Sequence, residues 1–532
     1  MKRMLVAAIA MCGSVNSSVF ADTSVGIGEQ FDVLAGDVYF SQGLFNNQGT
    51  VNNWGHIQNE GLFYNQSTAN LNIYSDFWNF GTLDNAGQIN FYGYSTISVS
   101  DNGQLYNSGS ISGVNQDYGI LRFEYGGYLR NSGDLSYLYL EISDQTNVLN
   151  TGTISDANIY GISGSGVPGV QFVNTGTITN SVIDYVGGME NSGYIGGDPA
   201  QGTGTSISVR DRQTFTNSSS GLIDLISPNF GGNAFNLEGS FYNQGSVVAH
   251  DGTNVIDGAR GSAVFYNQGD FTNVGSRLEI RNGGVIRNLG TMTNGDEFGI
   301  YGYPEIDLQH GSFNPSTLDN SGTLENHAAI TGEGQVINSG LMIHHEFGRL
   351  DVAYMENSGR LEAGGEIFFR DRLVVTETGT LAPTNINPDY FYFNPLSIVG
   401  NVDIDGTLEL EIPDLYGEEL INISGVLDIG DTAVLDLSLY NGEYAGWMFG
   451  VGDSYDLLSA DVILGDFSEL VTHLLYDDAW VSLELEVYSD GFRDFLRLNA
   501  VEAAAPVPLP AAVWIFMTGL IGLTALARRK AH

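Results

Sequence analysis

The chain has 532 residues and a formal net charge of −43, with 70 glycines but only 12 prolines. Charged residues make up 15 % of the chain, which is unlike a charged disordered protein. The acidity argues against nucleic acid as a partner, because phosphate binding needs clustered Lys and Arg. The two lysines, Lys2 and Lys530, lie at opposite ends of the chain. This composition favours one long, elongated structure.

Residues 1–21 have the pattern of a secretory signal peptide. A basic start precedes an apolar run at residues 4–11, and small residues permit cleavage after Ala21. The alternative is a lipoprotein signal in which Cys12 is lipidated, but Met11 is larger than the residue expected before such a cysteine. We predict export by the Sec pathway and a mature chain without cysteine, to which disulfides contribute nothing.

One phrase recurs through the body of the chain: apolar, any, Asn, any, Gly, any, apolar. From Asn85 onward most copies are 17 to 26 residues apart, which suits one turn of a coil of short parallel strands. Asn tolerates left-handed turns, and stacked Asn amides can form a ladder along the axis. Gly permits a sharp corner, and the flanking apolar residues point inward. The repeat residues include Asn107 and Gly109, Asn131 and Gly133, Asn174 and Gly176, Asn243 and Gly245, and Asn320 and Gly322.

We therefore predict an all-β protein, with a right-handed parallel β-helix (β-solenoid) over residues 22–383. Each coil alone cannot bury its apolar rows, so neighbouring coils must stabilise one another. The alternative is a set of unrelated Asn-Gly turns in an antiparallel sheet. Near the N-terminus four copies follow at six-residue spacing, which is compatible with successive sides of one coil rather than separate coils; their asparagines are Asn47, Asn53, Asn59 and Asn65.

A more acidic segment follows at residues 384–500. Residues 374–502 hold 25 acidic side chains and two basic ones, and apolar and acidic residues alternate as in half-buried strands. The phrases Gly406–Leu410, Gly452–Leu458 and Gly465–Phe467 resemble the module that ends many exported β-helix proteins, including autotransporter-like passengers. The resemblance implies a β cap over the open end of the solenoid. Its turn aspartates are candidates for weak Ca²⁺ binding: Asp403, Asp405, Asp428 and Asp431.

The last segment, residues 501–532, combines a Pro-rich motif, 17 uncharged residues at 511–527 and a basic end. As a helix the uncharged stretch is about 25 Å long, just short of a hydrocarbon core of about 30 Å. The basic end would stay on the cytoplasmic side of the inner membrane. The two interpretations are a plain membrane anchor and a sorting signal.

The motif residues of this tail resemble the PEP-CTERM sorting domain of Gram-negative bacteria, in its V-P-L-P-A-A-x-W form. Leu509 departs from the commonest form, V-P-E-P. The resemblance implies recognition by an exosortase, and it associates the chain with exopolysaccharide and biofilm formation. The residues that carry the match are Val507, Pro508, Leu509, Pro510, Trp514, Arg528, Arg529 and Lys530.

Few residues in the body suggest chemistry. His344 and His345, followed by Glu346 and Arg349, form the best candidate cluster. Adjacent residues of a strand point to opposite faces, so two neighbouring His suit one metal poorly, and we favour an exposed turn. The two Arg-Asp-Arg runs each follow an apolar strand and favour solvated bends, with carbohydrate contact as the alternative; they are Arg210–Arg212 and Arg370–Arg372.

Aromatic side chains suggest a second possibility. Tyr64, Tyr242 and Tyr266 each follow an inward Phe of the repeat and should point outward. A row of such tyrosines beside Asn would stack on sugar rings, whereas the plainer interpretation is half-buried surface tyrosine.

We predict an exported structural protein of the cell surface or extracellular matrix, sorted by an exosortase and associated with extracellular polysaccharide. The alternatives are an adhesin or glycan-binding protein and, third, a β-helix polysaccharide lyase or glycosidase. No Ser-His-Asp elbow, P-loop or zinc-type Cys pattern is present in the sequence. We therefore expect no enzymatic activity and no cofactor or metal site, apart from the weak Ca²⁺ binding for which the turn aspartates are candidates.

Overall fold

The computed structural model describes residues 3–5, 18–20, 22–143, 145–162, 171–184, 188–197, 203–227, 233–260, 263–296, 304–309, 311, 314–384, 395–412, 420–439, 450–473 and 481–502. Within them the chain is almost entirely β-strand, with short 3₁₀ turns at Val114–Gln116 and Gly258–Arg260. No helix in this part of the chain has the length and apolar character needed to cross a bilayer. The helix predicted at 511–527 lies outside the described residues, as do Ala21 and the tail motif.

The strands of the first coils are three to five residues long, and each pairs in parallel with the strand three places later. In chain order they are β1 (Arg3–Leu5), β2 (Ser18–Phe20), β3 (Thr23–Val25), β4 (Gln30–Val33), β5 (Val38–Ser41), β6 (Leu44–Asn47), β7 (Thr50–Asn53), β8 (His56–Asn59), β9 (Leu62–Asn65), β10 (Asn70–Ile73), β11 (Phe77–Asn79), β12 (Thr82–Asn85), β13 (Gln88–Phe91), β14 (Thr96–Val99), β15 (Gln104–Asn107), β16 (Ser110–Gly113), β17 (Gly119–Phe123) and β18 (Tyr128–Asn131).

The same period of three continues through the middle of the chain. Its strands are β19 (Asp134–Ser136), β20 (Leu138–Ser143), β21 (Asn147–Asn150), β22 (Thr153–Ser155), β23 (Asn158–Ile162), β24 (Gln171–Asn174), β25 (Thr177–Thr179), β26 (Val182–Asp184), β27 (Met189–Asn191), β28 (Tyr194–Gly196), β29 (Ser206–Val209), β30 (Thr214–Asn217), β31 (Leu222–Leu225), β32 (Asn233–Leu237), β33 (Ser240–Asn243), β34 (Ser246–Ala249), β35 (Thr253–Asp257), β36 (Val264–Asn267), β37 (Asp270–Asn273), β38 (Arg277–Arg281), β39 (Val285–Asn288), β40 (Thr291–Asn294), β41 (Glu305–Leu308), β42 (Thr317–Asn320), β43 (Thr323–Asn326), β44 (Ala329–Gly332), β45 (Gln335–Asn338) and β46 (Leu341–His344).

Three parallel ladders run along the molecule, so each coil has three sides. The first face contains β4, β7, β10 and every third strand after them, the second face begins with β5, and the third with β3 and β6. This arrangement confirms the predicted parallel β-solenoid. It also confirms the interpretation of the six-residue spacing, because Asn47, Asn53, Asn59 and Asn65 lie on the third, first, second and again third face.

Alternation of inward and outward residues along each short strand builds one continuous core. Val25 and Ala500 belong to the same buried cluster, which contains an apolar residue from almost every coil between them. Equivalent residues on successive coils stack, as the rings of Phe45 and Phe63 do at 4.3 Å and an interplanar angle of 6°. Each residue is buried by its neighbours along the axis, so the core is long and narrow.

Towards the C-terminus the second and third faces are formed by single longer strands that bend at the corner. The strands are β47 (Arg349–Asn357), β48 (Arg360–Ala363), β49 (Glu366–Val375), β50 (Thr380–Pro383), β51 (Leu396–Ile404), β52 (Thr407–Ile412), β53 (Ile421–Ile429), β54 (Val434–Leu439), β55 (Ser454–Gly465), β56 (Glu469–Thr472), β57 (Val481–Ser489) and β58 (Asp494–Glu502). The parallel ladders continue past residue 384 through the pairs β49–β51 and β50–β52.

The end of the solenoid is formed by the hairpin β57–β58. Strand β58 pairs antiparallel with the first half of β55, between Ser454 and Ala460, and β57 pairs antiparallel with β58. Leu483 and Leu485 of β57 pack against the core. This change of direction ends the parallel stack on the second face, as expected of a C-terminal β cap.

Candidate functional site

The repeat asparagines form one hydrogen-bonded ladder inside the solenoid. Each ends a strand of the third face and is at most 1 % exposed, and each except the last donates from Nδ2 to Oδ1 of the next member at 2.7–2.8 Å. The members are Asn47, Asn65, Asn85, Asn107, Asn131, Asn150, Asn174, Asn191, Asn217, Asn243, Asn267, Asn288, Asn320, Asn338 and Asn357.

The side-chain amides of this ladder also form hydrogen bonds with backbone groups at the corners of the coils. Asn174 Nδ2 donates to the carbonyl oxygens of Gly176 and Tyr194, both at 3.3 Å, while its Oδ1 accepts from Asn150 at 2.7 Å. Apolar residues replace Asn at both ends of the ladder, Val25 before Asn47 and Val375 after Asn357. Along this ladder, side-chain hydrogen bonds join each coil to the next in addition to the backbone hydrogen bonds. A buried network of this kind makes the stack more rigid.

The repeat glycines are required by close approach between coils. A Cβ built on Gly176 would overlap the carbonyl oxygen of Gly152, and one built on Gly133 would overlap that of Gly109. Neither Gly176 nor Gly133 has a positive φ. The expected corner glycine is therefore needed because only hydrogen fits between two stacked corners.

A shorter ladder at the corner after the first face contains the histidine cluster singled out in the sequence. Asn273, Asn294 and Asn326 bond in series at 2.8 Å, and Asn326 Nδ2 contacts His344 Nδ1 at 2.8 Å. His344 is fully buried, so the expectation of an exposed turn is wrong for this residue. The neighbouring His345 points the other way and stacks on His327 at 3.7 Å. The two adjacent histidines thus lie on opposite faces.

We expect His344 to make stability depend on pH. Burial, with a smaller effect from the charge of His345, lowers the pKa of His344 from 6.5 to about 4. Between pH 6.5 and about 4 the unfolded chain binds the proton and the folded chain does not, so stability falls on acidification, by about 3 kcal/mol in full. His344→Asn should remove this part of the pH dependence in urea unfolding at pH 7 and pH 4.5. Identical pH dependence in both proteins would contradict the assignment.

The two Arg-Asp-Arg runs form surface ion pairs. Arg210 contacts Asp184 at 3.4 Å, whereas the Arg212 side chain is 91 % exposed. Arg370 reaches Glu333 at 3.1 Å, and Arg372 binds Asp403 at 2.7 Å. These contacts match solvated bends. Asp403, a calcium candidate, accepts this hydrogen bond from Arg372, and no group of three metal-ligating side chains occurs among the described residues.

The three outward tyrosines singled out in the sequence do not form one row. Tyr242 and Tyr266 stack at 4.7 Å with an interplanar angle of 1°, so that each covers a face of the other ring. Tyr64 lies between Asn46 and Asp84 on the neighbouring coils. A sugar has little open ring surface at the Tyr242–Tyr266 pair, which instead stabilises the stacking of two coils.

A larger aromatic surface, not singled out in the sequence, covers the second to fourth coils. Trp54, Tyr74 and Tyr92 form a column at the corner after the first face, with centroids 3.5 and 4.3 Å apart. Trp78 stands on the second face, 43 % exposed. The His56 ring meets Trp78 edge-on at 4.2 Å and 80°. We call Trp54, Tyr74, Tyr92 and Trp78 the aromatic strip. The sequence pattern that could have indicated the strip is the presence of aromatic residues at variable positions of consecutive repeats.

Polar rows flank the aromatic strip on both sides. On the first face Asn90 donates to Asn72 at 3.0 Å, and Asn72 donates to Asn52 at 2.8 Å. On the second face Gln58 and Ser98 occupy the positions on either side of Trp78. The arrangement places amide and hydroxyl groups within reach of a molecule lying on the aromatic rings.

The fold and these ladders define a parallel β-solenoid whose coils are held in register by asparagine. No protein-family model and no curated protein matches the chain. Among solved structures it is similar to the crystal structure of the Haemophilus influenzae Hap adhesin, with 11 % identity and a TM-score of 0.24. The match covers 89 % of this chain and 64 % of that chain, so this chain spans less than two thirds of the adhesin's length. A TM-score this low supports no conclusion about function.

Proposed function

We propose that the protein is an exported structural rod of the cell surface or extracellular matrix. The observation that supports the proposal is the unbroken buried ladder from Asn47 to Asn357. One strand per coil gives 20 strands on the first face once β1 (Arg3–Leu5), which lies in the proposed export signal, is left out. At about 4.8 Å per strand the rod is about 100 Å long. Such a rod holds surface groups at fixed spacing along its length, which suits a scaffold or spacer.

The two chain ends complete the proposal. Residues 1–21 direct export through the Sec pathway, and the segment 501–532 holds the chain in the inner membrane until an exosortase-type enzyme removes it. The processed rod then associates with extracellular polysaccharide. It acts by binding and spacing and does not cleave glycans. Chain shortening of the producer's own exopolysaccharide by the purified protein would contradict this.

Mass spectrometry of the surface-exposed protein tests the sorting proposal. We expect a chain that begins at Asp22 and lacks the basic end Arg528–Lys530, whereas the membrane fraction retains that end. A variant with glutamine at these three basic positions should show less surface protein and more of the membrane-bound form. An intact basic end on the surface protein would contradict the proposal.

A second candidate function is an adhesin or glycan-binding protein that uses one side of the rod. The aromatic strip favours it, because two tryptophans lie exposed on adjacent coils, Trp54 at 47 % and Trp78 at 43 %.

A further inference from the structure

The indole of Trp78 is partly open to solvent, with 43 % of the residue exposed. The residues beside it on the neighbouring coils are Gln58 and Ser98, neither of which is aromatic. Its ring contacts are edge-on, with His56 at 4.2 Å and Phe80 at 6.5 Å. No described ring stacks parallel on Trp78, in contrast to Tyr242 and Tyr266, whose rings cover one another.

The spacing of the aromatic strip suits a chain of sugar rings. Tyr74 and Trp78 are four residues apart around the corner between the first and second faces, so at most about 14 Å separates their Cα atoms, the length of a few pyranose units. Successive coils repeat at about 4.8 Å, close to the length of one such unit. Aromatic faces pack against the C–H faces of sugars. The flanking amides of Asn52, Asn72 and Asn90 can bond to hydroxyl groups.

Charge restricts the ligand. Residues 22–121 contain nine acidic side chains and neither Lys nor Arg. Of the residues in and beside the strip, Asp76 and Glu60 are exposed. Arg122 lies in the same row two coils beyond Trp78 and is paired with Glu141 at 2.6 Å. The excess of carboxylates repels polyanionic glycans. A neutral chain is not repelled by these carboxylates and meets aromatic, amide and hydroxyl groups beside them.

We propose that the aromatic strip binds a neutral polysaccharide, with Trp78 as the main contact and Trp54 as the second. This inference rests on the proposed function and names the site by which the rod joins a polysaccharide matrix. No bond is made or broken; the site holds the glycan by ring stacking and hydrogen bonds.

Affinity electrophoresis of the chain beginning at Asp22, in gels containing soluble mixed-linkage β-glucan, polygalacturonate or chitosan, tests the proposal. We expect retardation by β-glucan, at least tenfold weaker binding for Trp78→Ala, and partial recovery for Trp78→Phe. Tyr242→Ala, which removes an outward ring elsewhere, should bind as the original chain does. Polygalacturonate should not bind, and any chitosan binding should disappear in salt.

Absence of β-glucan binding, or equal binding by Trp78→Ala and Tyr242→Ala, would overturn the proposal. Unchanged thermal unfolding of Trp78→Ala is required, since a folding defect would also lower binding. Failure of this site is distinguishable from failure of the proposed function. If the protein reaches the surface with a processed tail but does not bind glucan, only the proposed binding site is wrong. If the protein binds glucan but is retained inside the cell, only the proposed export is wrong.

Discussion

Replacing Asn174 by Ala should lower the free energy of unfolding by about 2–5 kcal/mol. Asn174 lies in the middle of the buried ladder, accepting from Asn150 and donating to Asn191, each at 2.7 Å. Alanine leaves a donor on one neighbour and an acceptor on the other without their ladder partner, and both atoms are buried away from water. Each such loss costs about 1–3 kcal/mol. Urea unfolding followed by circular dichroism measures the change.

The matched control is Asn72→Ala, because Asn72 occupies the middle of an outward ladder of the same design. It donates to Asn52 at 2.8 Å and accepts from Asn90 at 3.0 Å. All three side chains are only partly buried, so water can replace the lost partner, and we expect a loss below about 1 kcal/mol. Equal effects of the two substitutions would show that burial of the inner ladder does not determine its contribution.

Gly176→Ala should destabilise the protein by about 3 kcal/mol, through overlap between stacked corners. The added methyl group would meet the carbonyl oxygen of Gly152, which belongs to the backbone and cannot rotate away. Relief requires the coils to separate locally, which also weakens the adjacent Asn ladder. Thermal unfolding would report the loss as a lower midpoint.

Gly450→Ala is the control for this substitution. Its Cβ would meet nothing closer than the Asp453 carboxylate at 3.4 Å, and Gly450 does not have a positive φ. Alanine there should change stability by less than about 0.5 kcal/mol. Chain entropy alone would make both alanine variants slightly more stable. A similar loss for Gly176→Ala and Gly450→Ala would therefore show that the loss does not arise from intercoil contact.

The parallel solenoid was predictable because each repeat contains the residues that determine its corner and its inward side chains. Each repeat has an Asn at a corner and a Gly that packs against the corner of the preceding coil. Both recur at fixed distances from the inward apolar residues. Even the six-residue spacing at Asn47, Asn53 and Asn59 followed from this phrase, since all three sides of that coil end in Asn. Local sequence and long-range stacking therefore agree.

Other features were not predicted from the sequence, because they depend on contacts between neighbouring coils. His344 occupies the inward position that ends β46, where the Asn326 amide of the preceding coil lies 2.8 Å from its Nδ1, whereas its own segment resembles a polar turn. The aromatic strip depends on register, which places Trp54 over Tyr74 and leaves Trp78 beside Ser98. The contacts made by residues at variable positions of the repeat can be determined only when the register between the stacked coils is known.

Small-angle X-ray scattering of the purified chain beginning at Asp22 tests the central claim, that the body is a single stiff rod. Without β1, which precedes Asp22, twenty stacked strands remain on the first face and give a maximum dimension of about 100 Å. A compact globule of the same chain length would have a diameter of about 60 Å. We predict a pair-distance distribution with a peak at the rod's width and a long linear tail to about 100 Å. A symmetric distribution that ends near 60 Å would contradict the rod, and with it the proposed structural function.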